Sequence, residues 1–335
     1  MPAGYTLNSS RGSVLILVTW IMLMLGLVTL AFGARTSLAL LRTGRFLEEG
    51  QAYRLAESAV SHAISTIQKD TSKIMDGPSE EWGKPHTFDP QDPEMGKALP
   101  SEEEAQAMQD EAVIWRMEDE ERKLPLNTAP AEALARLFAQ TGGVRPDDAK
   151  ALADAVIDWR DDDTDPQPNG AEDFYYTGLR APYECKDAPF ENVEELRLIK
   201  GMTDDVYARV APYVTVFGSG AVNINSAREE VLHALGLTSK ATSGILTYRN
   251  GPDGKLGTPD DRIIDSSANI VGELAPYVPS SEMPLLGKLV KDKLLDVGST
   301  VFTVIVHAPS LHAGFGSNVR AVIDREGGVL DWEEE

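Results

Sequence analysis

From Ser13 to Ala34 the chain is apolar without a charged interruption, SVLILVTWIMLMLGLVTLAFGA. Such a run is long enough to cross a bilayer, which takes about 20 apolar residues in a helix. From Arg35 to about Lys69 it gives way to apolar positions spaced by threes and fours, among them Leu38, Leu41, Leu55, Ala59, Ile64 and Ile67, with no proline. The spacing predicts one long helix over Ser13–Thr71, apolar all round at first and amphipathic over residues 35–71. Its second half needs a sheet to cover the stripe. Residues 72–111 lose the pattern: Pro, Gly and acids dominate, and SEEEAQAMQDE is a solvated charged run in an acidic, variable loop. Residues 112–123 begin as a strand, Ala112–Met117, and leave it through EDEERK as a turn. Three β-branched or alternating runs in residues 299–335 read as closing strands: Thr300–His307, Val319–Ile323, and VLDWE after Gly327-Gly328.

Between these strands the pattern turns helical and repeats. Leu126-Asn127-Thr128-Ala129-Pro130 opens a helix through Ala139, and Ile224-Asn225-Ser226-Ala227 opens another through Leu235. Thr128 and Ser226 have the side chains of N-caps, and Ser226 with Glu229 has the spacing of a capping box. Each copy continues into a second helix ending in a similar tag, Val156-Ile157-Asp158-Trp159-Arg160 or Ile245-Leu246-Thr247-Tyr248-Arg249, followed by an acidic loop. The reading is a duplicated helical hairpin, first copy within 124–216 and second within 217–298. Leu196-x-x-Ile199-x-Gly201-Met202 resembles a helix-hairpin-helix turn of the kind that holds a phosphate in DNA-binding proteins. Acids outnumber Arg197 and Lys200 around it, so a packing turn is the stronger reading.

Charge narrows the classes. A net charge of −22 argues against nucleic acid as a partner, because binding to phosphate is driven by Lys and Arg displacing counterions. Cys185 is the only cysteine, so no intrachain disulfide can form. The five histidines show no metalloprotease spacing and no nucleophile elbow is present, so an enzyme is not expected.

The leader is informative. Residues 1–12 are short, polar and mildly basic, and no small-residue cleavage site follows the apolar run as it would in a secretory signal. With Arg11-Gly12-Ser13 at the start of that run, the chain resembles type IV prepilins and the pseudopilins of type II secretion. The resemblance implies cleavage by the prepilin peptidase between Gly12 and Ser13, N-methylation of Ser13, and residues 13–34 as a single span of the bacterial inner membrane with the bulk periplasmic. Most of that family carry Glu five residues after the cut, where this chain has Leu17. The glutamate is thought to pair with a neighbouring subunit's N-terminus, so Leu17 marks a subunit with none above it.

LNTAP, DWRDDDTDPQPNGAEDFYY, APF-x-x-VEELRLIKGMT, PYVTV and the second NINSA are similar to the K-type minor pseudopilins, the GspK family. That similarity implies an α+β fold: a pilin-like long N-terminal helix packed on a small antiparallel sheet, with a large inserted all-α domain of helix-hairpin-helix or SAM-like type. It also implies a tip complex with I- and J-type minor pseudopilins that initiates the pseudopilus. Two rivals stand beside it: a minor pilin priming a type IV pilus, and a membrane-tethered helix-hairpin-helix DNA-binding module.

The acidic loops are candidate metal sites. Asp161, Asp163, Asp165 and Glu172 fall at positions one, three, five and twelve of a calcium loop, although Pro166 replaces the glycine a true EF-hand needs. Calcium binding by described K-type members points the same way. Asp253, Asp260 and Asp261 lie in a GPDG-x-x-GT-x-DD string that resembles the calcium loop of the major pseudopilin. One or two Ca2+ ions are expected, in preference to zinc, because the ligands are hard oxygens with no His or Cys nearby.

Overall fold

The computed structural model describes residues 10–88, 97–98, 112–309 and 317–334. The leader residues 1–9 and the acidic run 101–111 lie outside the described residues. A single helix, α1, runs Ser10–Lys69, starting three residues before and ending two before the span predicted from spacing. Its N-terminal half is exposed from Val14 to Ala34, and no described side chain between Ala34 and Ala52 is buried. Burial begins at Ala52 and continues through Ala56, Ala59, Val60, Ala63 and Ile67. The predicted stripe included Leu38 and Leu41, but both are exposed. Alanines carry the contact instead, because a residue without bulk lets the helix axis approach a sheet whose own side chains are large.

Those large side chains are Trp115, Met117, Phe302, Val304 and Val306, with Trp82 beside them. They belong to a six-stranded antiparallel sheet ordered β10-β9-β8-β3-β1-β2. Its strands are β1 (His86–Phe88), β2 (Lys97–Ala98), β3 (Val113–Asp119), β8 (Val301–Ala308), β9 (Ser317–Asp324) and β10 (Val329–Glu334). Trp115 stacks flat on His86 at 4.0 Å between ring centroids. β3 and β8 are hydrogen-bonded neighbours, yet 181 residues, 120–300, separate them in sequence. The helical part is therefore an insertion between adjacent strands.

Where the chain leaves and re-enters the sheet, EDEERK forms the expected turn, with three of its acids buried. β3 extends through Asp119, and a 3-10 turn at Glu120–Arg122 follows, with Asp119, Glu120 and Glu121 all buried. Each is paid in hydrogen bonds. Glu121 accepts from the Ser219, Thr300 and Val301 amides and the Thr300 hydroxyl. Glu120 accepts from Lys123, Thr215 and Thr303. Asp119 accepts from Asn223 and Ser226. Buried carboxylates persist only when so paired, and here they tie both hairpin copies to the sheet.

The two copies share a plan. The first opens on β4 (Leu124–Pro125), passes through α2 (Ala131–Gln140), α3 (Pro146–Arg160), α4 (Asp173–Tyr176) and α5 (Asp204–Val210), and closes on β5 (Val214–Thr215), parallel to β4. The second opens on β6 (Val222–Asn223), passes through α6 (Glu229–Ala234), α7 (Ser239–Arg249), α8 (Ile270–Leu274) and α9 (Met283–Lys291), and closes on β7 (Leu295–Asp296), parallel to β6. The tag arginines do the same work in both. Arg160 donates to the carbonyls of Leu126 and Ala129, and Arg249 to those of Ile224 and Ala227. The asparagines match as well: Asn127 brackets the Phe190 backbone and Asn225 brackets that of Ile264.

The expected N-caps are a correction. α2 starts after Pro130 and α6 after Arg228, neither with a side-chain cap. Thr128 donates to the Gly220 carbonyl and Ser226 to Asp119 instead. The segment after each asparagine is a turn that spends its hydroxyl on a neighbouring element, so the helix begins a few residues later.

Candidate functional site

The first acidic loop is built onto the end of α3. Pro146 at its N-terminus and Asp147 and Asp148 in its first turn suit the helix dipole. Asp154 and Asp158 lie one turn apart and both are buried, so this face of the helix turns acids inward. The loop folds back onto them. The Gln167 amide donates to Asp158 Oδ1 at 2.9 Å, and the Asn169 side chain donates to Asp154 Oδ2 at 2.9 Å. A Cβ on Gly170 would lie 1.9 Å from Asp158 Oδ2, so only glycine lets the backbone pass here. Lys200 fastens the loop from outside, donating to the carbonyls of Asn169 and Gly170.

Inside this fold-back, carboxylate oxygens converge, several of them without partners. Asp161, Asp163 and Glu172 place oxygens within 4.8 Å of one another. Asp158 Oδ2, Asp161 Oδ1, Glu172 Oε1 and Asp187 Oδ1 are buried and lack a hydrogen bond. Burial, with the charges of Asp158 and Asp187 beside it, pushes the Glu172 carboxyl up to about 7. Burial and neighbouring aspartates also raise Asp158 and Asp161. Orphaned anionic oxygens crowded in a buried pocket are what a hard dication satisfies, so this donor set fits calcium.

The structure thus brings Asp161, Asp163 and Glu172 together. Asp165 is not in the group: it is exposed, and its amide donates to Asp163 Oδ1 at 2.9 Å, closing an Asx turn. Two further acids, Asp158 and Asp187, were missed by the loop spacing. Asp158 could have been found as a charge inside the apolar face that ends in Trp159-Arg160. Asp187 arrives from a distant turn and takes a positive φ of 48°. The expectation that no cysteine is near also needs correction. Cys185, Glu172 and Asp187 form a second group of ligand atoms within 4.8 Å, because the Cys185 amide donates to Asp173 and draws the chain back. Burial pushes the Cys185 thiol up.

The second loop is different. Asp260 accepts from the Asp253 amide, Asp261 from the Gly257 amide, and Asp253 from the Lys255 amide. Asp253, Asp260 and Asp261 therefore spend carboxylate oxygens on their own loop, and they are not among the converging groups of the described residues. The repeat gives the reason. Two positions before the tag arginine, the first copy has buried Asp158, whereas the second has Thr247, exposed and bonded to Ser243. Without that inward acid the loop has no floor.

The helix-hairpin-helix turn is engaged in packing. Gly201 takes the positive φ of 84° that the turn requires. The Lys200 amide, of the kind that would face a phosphate, is bonded to the Tyr176 hydroxyl, and Arg197 pairs with Asp204. Gly12 and Ser13 lie in the backbone of the first turn of α1, and Leu17 is exposed on its surface.

The family profile "Type II secretion system (T2SS), protein K" matches residues 116–219. A type II secretion system protein K of Aeromonas hydrophila is 30% identical over 302 residues, covering 87% of this chain and 86% of the relative. One from Pectobacterium carotovorum is 30% identical over 221 residues, and the match spans 66% of that protein's length. Among solved structures, the GspK-GspI-GspJ complex from enterotoxigenic Escherichia coli contains a chain that superposes with a TM-score of 0.66 at 18% identity, covering 88% of this chain and 99% of that one. The fold, the duplicated hairpin inserted between sheet neighbours and these similarities converge: the chain belongs to the type II secretion system protein K family, the K-type minor pseudopilins.

Proposed function

We propose that this chain starts the pseudopilus from its tip, in complex with I- and J-type minor pseudopilins, as a non-catalytic assembly protein. The observation that carries the reading is the insertion between β3 and β8. It puts two helical hairpin units beside a pilin-like helix and sheet, too much bulk for a subunit packed on all sides in a shaft. Leu17 agrees with it, since it offers no carboxylate to a subunit above. The solved complex that shares this fold contains the corresponding three proteins. α1 is long and apolar enough to cross a membrane and would anchor the chain in the inner membrane with its bulk periplasmic. The prepilin peptidase would cut between Gly12 and Ser13 before assembly, with N-methylation of Ser13.

Calcium would act in this protein as a structural ion. Asp158, Asp161, Asp163, Glu172 and Asp187 would hold it, and the neutralised loop would then seat against Lys200 and α3. The test of the main reading is co-purification of the detergent-solubilised full chain with I- and J-type partners from the same operon. A stable ternary complex is expected. Retention of neither partner, by a chain that melts cooperatively, would overturn it.

A further inference from the structure

We infer that the cavity where the uncovered edge of β3 meets the second acidic loop is a binding site for a small organic monocarboxylate, held by Arg116 and Arg122. β1 covers β3 only over Val113–Trp115, and among the described residues no strand continues beside Arg116–Asp119 on that side. The 3-10 turn Glu81–Gly83 and residues Leu256 and Gly257 of the second hairpin copy close round the gap, leaving a cavity of about 340 Å3. That volume lies in the range of small-ligand pockets. Trp82, Met117 and Leu256 give it apolar walls, and Arg116 and Arg122 bring charge to it.

In a chain of net charge −22, two guanidiniums should be claimed by acids, and these are not. Arg116 is exposed and has neither an ion pair nor a hydrogen bond among the described residues. Arg122 is largely buried, its Nε has no partner, and its ion pair is a loose one to Glu118 at 3.5 Å. Glu118 is itself shared, lying 3.6 Å from Arg228. Asp119, the other acid of the lining, is spent on Asn223, Ser226 and the Glu121 amide. Burial, with Arg228 beside it, pulls the Arg122 guanidinium below its ordinary value; burial, with Arg122 beside it, pulls Arg249 down to about 10. Positive charge is in surplus on this wall, and a buried donor left unbonded is a cost that an anion removes.

The lining selects the anion. A guanidinium fork matches a planar carboxylate through two parallel hydrogen bonds. Phosphate fits the fork as well, but Glu118 and Asp119 stand in the same wall and repel a dianion about twice as strongly as a monoanion. The apolar walls favour a hydrocarbon body behind the carboxylate. Once bound, the acid would clamp the end of β3 to the second hairpin copy.

The test uses the full chain in detergent, with phenylacetate as probe, phenylacetamide as its neutral twin and inorganic phosphate as the dianion. Affinity is read by titration calorimetry, and phenylglyoxal labelling of Arg116 by peptide mass spectrometry. One phenylacetate per chain is expected, slowing the labelling of Arg116 and not that of arginines elsewhere, while phenylacetamide protects nothing. Arg116→Met and Arg122→Met should each weaken phenylacetate binding by at least about tenfold. Arg116 is exposed, so its variant tests the site even where Arg122→Met disturbs folding. Absence of saturable phenylacetate binding, or unchanged affinity in Arg116→Met, overturns the site. Equal protection by phosphate at matched ionic strength overturns the assignment to a monocarboxylate.

Discussion

If Glu172 lines a calcium cage, the stabilisation by calcium should fall as pH falls, because the metal-free carboxyl itself titrates in the sense opposite to that of ordinary paired carboxylates. In the metal-free fold Glu172 is raised from 4.5 to about 7. A carboxyl whose folded value is raised contributes stability that is fully present below its unfolded value and lost as pH rises through the folded one. With about 1.4 kcal/mol per unit, acidifying from about pH 7 to pH 5.5 returns roughly 2 kcal/mol to the metal-free protein. Bound calcium already neutralises the cage, so the same acidification returns nothing there. The calcium increment should therefore shrink by roughly 2 kcal/mol over this range, or about 4–8 °C in melting temperature for a unit of this size. Asp76 and Asp119 are also raised by burial, to about 7 and about 6, and His86 is lowered by it. These groups titrate alike with and without calcium, so they cancel in the difference. The assay is calorimetry of the full chain in detergent, in chelator and in millimolar calcium, at both pH values. Glu172→Gln should give a smaller increment that changes less with pH, what remains being owed to Asp158 and Asp161. An increment equal at both pH values in the wild type would refute the argument.

Gly170→Ala should abolish the calcium increment at fixed pH, because the added Cβ meets Asp158 Oδ2; melting curves in chelator and calcium would then coincide. Arg249→Met leaves the Ile224 and Ala227 carbonyls unpaired, at about 1–3 kcal/mol each, and relieves the burial of one cation, for a net loss of about 2 kcal/mol in urea unfolding. Gly12→Val should leave residues 1–12 attached, read by N-terminal mass spectrometry of membrane-purified protein, where wild type begins at Ser13. Leu17→Glu should not improve assembly, since no subunit above offers an amine to pair with. It adds an unpaired acid costing about 2.5–3.5 kcal/mol near the centre of a span and less near its end; increased incorporation along the pseudopilus, measured by crosslinking, would contradict the tip position.

Much of the fold was legible because its signals are local. An uninterrupted apolar run, β-branched strands bounded by Gly, and a tag ending in arginine each occupy a few consecutive residues, and each appears where its pattern places it. The repeat was visible for the same reason, since Asn127/Asn225 and Arg160/Arg249 keep their order and spacing. The errors arise where a side chain is spent far away in sequence. Thr128 and Ser226 look like caps until Gly220 and Asp119 arrive to claim them. EDEERK reads as a turn and is one, but the burial of its acids under residues 215–226 and 299–303 has no local signal. In the site, spacing found Asp161, Asp163 and Glu172, which share one loop. It could not find Asp187 and Cys185, which reach Glu172 only because the chain turns back after α4.

The bare stretch of α1 between Ala34 and Ala52 sets a mechanical property. The eighteen helical steps from Ala34 to Ala52 make a column of about 27 Å between the end of the apolar run and the first contact with the sheet. In a chain anchored as proposed, any pull or push on the span reaches the head through this column, with no second strand or helix among the described residues sharing the load. Gly44 and Gly50 both lie in it, each roughly 1 kcal/mol less favourable in a helix than alanine. They make the column its own point of compliance, so the head would tilt relative to the span without disturbing the sheet or the acidic loop after α3.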